Sequence, residues 1–204
     1  MASSQPGGSA DQALARLMEG NERFLRGESR LPALAQQDLK GLVHGQQPYA
    51  TILGCSDSRV PPEIVFDSGL GELFVIRVAG NVFSGEVAGS LQFASAQLHT
   101  PLFVVLGHHG CGAVNAALQS RDRGERHNSR IQLLVDSILP GLPPPDPQLS
   151  PEDQAKQAVE SNVLWTIKQI AELPGARSLL DEGKRKLVGA IYEIATGHVR
   201  LLSS

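Results

Sequence analysis

Cysteine is almost missing from this chain: two in 204 residues, Cys55 and Cys111. A disulfide framework is therefore excluded, and without a Cys-x-x-Cys so is the common thiol redox motif. A basic excess is missing too. Eighteen Lys and Arg against 21 Asp and Glu leave a net charge of −3, which argues against a nucleic-acid partner or an anionic membrane surface. No apolar run approaches the ~20 residues of a membrane span. Residues 1–10 are rich in Ser and Gly and lack the charged-then-apolar pattern of an export signal, so they read as a flexible lead. A cytoplasmic protein with reduced thiols is the expectation.

What is present is ordinary globular material, 41% apolar and 19% charged, long enough for one domain with a sizeable core over residues 11–204. Apolar positions Ala13, Leu14, Leu17, Phe24 and Leu25 recur at helical spacing after Asp11, a candidate cap, with Gly27 as the stop. A loop with a short helical piece follows to Gly45. Strands are expected at Tyr49–Gly54, Glu72–Ala79, Leu102–Gly107 and Leu187–Glu193. Helices are expected after Pro61, at Val87–His99 with Leu91, Ala94, Ala96 and Leu98 inward, from Gly112, at Ile131–Leu139, from Ser150 to Glu172, and at Ala176–Glu182. Five prolines between Pro140 and Pro147 make that stretch irregular. Thr196-Gly197 turns the chain into a last strand, His198–Leu202, pairing back as a hairpin. Strands alternating with helices predict a single α/β domain. Its central sheet is mainly parallel, with helices on both faces and a C-terminal antiparallel edge strand.

Ligands of such sheets sit beyond the carboxyl ends of the strands. Both cysteines fall there. Cys55-Ser56-Asp57-Ser58-Arg59 follows the first strand, and His108-His109-Gly110-Cys111-Gly112 follows the third. A lone free cysteine is usually a small buried hydrophobe. Two thiols and an imidazole on neighbouring strand ends are instead what Zn²⁺ selects, and three protein ligands leave a coordination position open for water. A helix beginning after Cys111 would favour its thiolate. Asp57 and Arg59 would be a weak surface pair elsewhere. Beside a metal, Arg59 can hold Asp57 ionised and aimed, or Asp57 can swing in as a fourth ligand. His109 is a candidate proton shuttle, its imidazole suiting the pH range; His44, His99, His127 and His198 show no partner pattern.

These motifs, in this order and separation, resemble the two signatures of the β-class carbonic anhydrases. Leu17–Phe24 resembles the N-terminal helix of many bacterial members, and Leu187–Leu202 the family's terminal hairpin. The resemblance implies zinc held by Cys55, His108 and Cys111, one ion per chain, and reversible hydration of carbon dioxide by a nucleophile that Asp57 and Arg59 orient. It implies a substrate pocket built with Gln46, Phe74 and Gly112, and with Phe93 where plant-like members often carry a tyrosine. It also implies a homodimer or homotetramer with residues of both chains around each site. Gln46 stands nine residues before Cys55, and Ile52 replaces the tryptophan of the branch that closes its site, so the open form, Asp57 on Arg59, is expected. Hydrolysis of carbonyl sulfide or carbon disulfide is the rival activity. A non-catalytic zinc module is the rival class, and it has no use for Asp57, Arg59 and Gln46.

Overall fold

In the computed structural model, residues 8–30 and 39–203 are described. Most of the expected lead and much of the loop before Gly45 lie outside them. The cap of helix α1 (Ala10–Leu25) lies two residues before the expected one: Ser9 accepts from the Gln12 backbone N–H while the Gln12 side chain accepts from the Ser9 N–H. This reciprocal capping box satisfies two free donors at once, which Asp11 alone cannot do. Ser9 and Ala10, expected in the lead, therefore belong to the cap and first turn of α1. Gly27, at φ +70°, follows the helix end.

After α2 (Leu39–Leu42) come β1 (Ala50–Gly54), α3 (Pro62–Val65), β2 (Leu73–Arg77), a 3₁₀ turn (Ala79–Asn81) and α4 (Gly85–Ala96). Then follow β3 (Leu102–His108), α5 (Gly112–Arg123), α6 (Ile131–Ile138), α7 (Pro151–Ala171), α8 (Ala176–Asp181), β4 (Lys186–Tyr192) and β5 (Val199–Leu201). The sheet order is β2-β1-β3-β4-β5, parallel except for β4 with β5, which is the expected architecture. Inside α4, Val87, Leu91 and Ala94 are buried but Ala96 is exposed and Leu98 only half-buried. The helix ends at Ala96, so its last turn leaves the core.

Strands β1 and β3 are buried on both faces, as parallel strands under two helical layers must be. Leu53, Phe103 and Val105 face a core with α4, α5, α6 and α7. Ile52, Val104 and Leu106 face a second core with α1 and α3. At Gly107 a Cβ would meet Val163 at 2.6 Å, so glycine lets α7 seat directly on β3. β2 is an edge and only partly covered, apart from Leu73.

One polar device ties the second layer down. Asp67 is fully buried at φ 43° and receives Arg23 Nε at 2.6 Å, Ser29 Oγ at 2.8 Å and the Arg30 backbone N–H at 2.7 Å. Burial alone would raise this carboxyl, but the bonds from Arg23, Ser29 and Arg30 outweigh it and hold it at about 2. A depressed carboxylate stabilises the fold above its ordinary pKa of about 3.9 and loses that contribution as pH falls toward 2. Asp67→Asn, which tolerates the left-handed backbone, should lower urea stability at pH 7 by about 2–3 kcal/mol. The difference from the parent should shrink as the pH is lowered through 4 to 2.

Candidate metal centre

The crossing from β1 into α3 and the crossing from β3 into α5 both leave the sheet at its carboxyl edge. Gly54 pairs with Leu106 in register, so Cys55, one residue past β1, stands beside the last residues of β3. His108 ends β3. Gly110, at φ +70°, reverses the chain and brings Cys111 back to cap α5. The ligand atoms of Cys55, His108 and Cys111 all lie within 4.8 Å of one another, and all three residues are buried. The two Sγ atoms are 4.0 Å apart.

Three observations show that this cluster fits a divalent cation. First, the His108 Nδ1 lies 3.0 Å from the His109 carbonyl oxygen. A carbonyl only accepts, so Nδ1 carries the proton and Nε2 presents a lone pair. Secondly, that Nε2 is buried and has no hydrogen-bond partner. Thirdly, the thiols cannot both ionise alone. A hydrogen bond from Cys111 outweighs burial and, with the Gly80 and Asp57 backbone N–H groups, pulls the Cys55 thiol down. The same bond and burial push Cys111 up. Two thiolates at this separation need a cation between them. Soft sulfur pairs with one imidazole select zinc among common divalent ions.

Asp57 borders the cluster, its Oδ2 3.9 Å from His108 Nε2. Arg59 grips it twice, Nε to Oδ1 at 2.9 Å and Nη2 to Oδ2 at 2.7 Å, and its backbone N–H adds a third bond at 3.0 Å. This fork holds the Asp57 carboxyl well below the usual carboxylate range. Phe74 on β2 and Phe93 on α4 stack with centroids 6.1 Å apart. Phe93 is 49% exposed. Gly112 opens α5 and is exposed.

Gln46 is not brought to this cluster. It precedes β1, while Cys55 follows it. Five residues at about 3.3 Å each place roughly 16 Å of strand between them. The half-buried His109 does not suit a shuttle either: its Nε2 is buried without a partner, whereas a shuttle must reach solvent.

Several supporting residues escaped the sequence reading. Arg77, at the end of β2, donates to the Cys55 carbonyl at 2.9 Å and the Asp57 carbonyl at 2.5 Å. It staples both ends of the Cys-Ser-Asp segment. A single arginine at a strand end gives no signal of this. The Gly80 N–H donates to Cys55 Sγ at 3.3 Å. Its turn is held from behind by α7, where Asn162 donates to the Gly80 carbonyl at 2.8 Å and Thr166 to the Asn81 carbonyl at 3.2 Å. These two buried polar residues sit four apart on an otherwise apolar helix face, a signal that could have been read. At Gly80, φ is +70° and a Cβ would meet Ile138 at 2.9 Å and Ala113 at 3.0 Å. Gly80→Ala should therefore displace the N–H from the sulfur and weaken zinc binding about tenfold or more, as losses around metal ligands do. A chelator competition titration reads this directly.

Known proteins share this sequence pattern and fold. A family profile described as carbonic anhydrase matches residues 50–199. Carbonic anhydrase 2 of Mycobacterium tuberculosis is 38% identical over 189 residues, covering 91% of this chain and 89% of its own. The carbonic anhydrase of Mycolicibacterium smegmatis is 36% identical over 195 residues, covering 92% and 90%. Among solved structures, the β-carbonic anhydrase CcaA superposes with a TM-score of 0.70 at 30% identity, over 93% of this chain and 95% of that one. A cluster suited to zinc, at the carboxyl edge of a sheet shared with these proteins, has one reading: the chain belongs to the β-carbonic anhydrase family, the zinc enzymes that hydrate carbon dioxide.

Proposed function

We propose that this chain hydrates carbon dioxide reversibly at the Cys55–His108–Cys111 cluster, with Asp57 and Arg59 directing the nucleophile. The observation that carries this reading is the doubly hydrogen-bonded Asp57, ionised and beside the ligand atoms while its carboxylate is committed to Arg59. When bound, zinc supplies the Lewis acidity that makes a nucleophile from water near neutral pH. Two thiolates and a neutral imidazole cancel the charge of the ion, so the protein's own electrostatics matter more. Asp57 accepts the hydrogen bond that turns a lone pair toward the carbon, and Arg59 fixes the carboxylate in that direction. Phe74 and Phe93 form a dry wall for an apolar gas, with Gly112 lending backbone at the mouth of α5. The two thiols must stay reduced, which suits the cytoplasm.

Gln46 joins the site from a second copy of the chain. The partly covered edge strand β2 and the half-exposed Phe93 support packing of that copy there, as a homodimer or a homotetramer built from such dimers. There Gln46 donates to the oxygen on which negative charge develops. Stopped-flow hydration of carbon dioxide, with zinc measured on the same sample, tests the function. Zinc-loaded protein without hydration activity would refute it. Mixing tests the shared site. Gln46→Ala chains and Asp57→Asn chains, each weak alone, should regain activity on subunit exchange, because the mixed pair holds one intact site. No recovery would refute the shared site, and full activity of Gln46→Ala alone would place Gln46 outside it.

A further inference from the structure

A cavity of about 310 Å³ lies away from the metal cluster, at the amino ends of β3 and β4. Leu91 of α4, Phe103 of β3, Ile170 of α7, Leu179 of α8 and Leu187 of β4 give it apolar walls. One charged side chain, Arg185, lines it. Nη1 of Arg185 donates to the Lys184 carbonyl at 2.8 Å and Nη2 to the Ser95 carbonyl at 3.2 Å. Nε is buried and has no partner. Among the described residues no carboxylate lies within ion-pair distance of it, and burial pulls its pKa down. Arg185 as a whole is half-buried, so its guanidinium borders the apolar walls with only two neutral carbonyls as partners.

The walls suit hydrocarbon and the guanidinium suits an anion. We propose that this cavity binds a small amphipathic carboxylate, its chain among the leucines and its head on the Arg185 guanidinium that lines the cavity. The volume is at the lower end of ligand pockets, about 300–1,000 Å³, so the ligand is a medium-length acid rather than a phospholipid. The site shares no residue with the metal cluster, and its test does not depend on hydration activity.

Octanoate is the probe, titrated calorimetrically into the zinc-loaded full chain. One octanoate per chain is expected. Arg185→Gln should weaken it about tenfold or more, the scale of a lost charge-assisted hydrogen bond, with an unchanged melting temperature. 1-Octanol, with the same chain and no charge, should bind more weakly than octanoate by a similar factor. Ala176→Trp, which fills the cavity from α8, should abolish binding while zinc content stays constant. Saturating azide, a metal-seeking anion, should leave octanoate bound. Any of four results overturns the proposal. These are no binding, as when another copy covers the cavity; equal binding of octanol; full affinity in Arg185→Gln or Ala176→Trp; or displacement by azide.

Discussion

Asp57→Asn is expected to keep one zinc per chain and to lower the carbon dioxide hydration rate by about 100-fold or more, the usual scale for a lost proton-directing group. The carboxylate lies 3.9 Å from His108 Nε2 but makes its short bonds to Arg59, so metal retention should survive the change. An asparagine amide offers one acceptor where the carboxylate had two, and it presents donors to a guanidinium that can only donate. The fork therefore breaks and the remaining oxygen loses its aim. Because Arg59 holds Asp57 well below the usual carboxylate range, the parent is fully ionised there throughout neutral and alkaline pH. The rate deficit should accordingly be constant between about pH 6 and 9, well above the ordinary carboxylate pKa. Stopped-flow hydration across that interval, with zinc analysis on each sample, measures it. Full activity at every pH would remove Asp57 from the reaction.

Cys55→Ala has the larger expected effect: loss of zinc and of hydration activity together. The change removes one of two thiolates and leaves the Gly80 N–H, now 3.3 Å from sulfur, without an acceptor. Two ligands, His108 and Cys111, hold zinc far more weakly than three. Metal analysis after dialysis against a mild chelator should find well under one zinc per chain, while the far-ultraviolet circular dichroism stays that of the parent. Cys55 is one small member of the first core and has no part in the second, so the helices should persist. A variant that kept stoichiometric zinc would show that Cys55 is not a ligand.

The chain spells out its elements because most of them are set by local pattern. The apolar runs of β1 and β3 are long enough only for strands covered on both faces, and both are. Ser150-Pro151-Glu152-Asp153 starts α7, with Ser150 accepting from the Asp153 N–H at 3.1 Å. Where two local signals competed, the reading slipped. Asp11 looked like the cap of α1, but Ser9 with Gln12 satisfies two donors instead of one. Ala96 looked inward by period, but the helix stops beneath it.

Residue type and spacing by themselves determined Cys55, His108 and Cys111 as the candidate metal ligands, and the structure brings their ligand atoms together. Strand alternation determined that they share the carboxyl edge of one sheet, because parallel strands joined by crossovers all end on the same side. Only the tertiary structure decided the rest. It brought Arg77 to the Cys55 and Asp57 carbonyls, turned the Gly80 N–H to sulfur, set Asn162 and Thr166 behind that turn, and left Gln46 at the opposite edge. Each of these depends on contacts between elements far apart in the chain. Their geometry is fixed by how α7 and β2 pack on the sheet, and no local window of sequence encodes that packing.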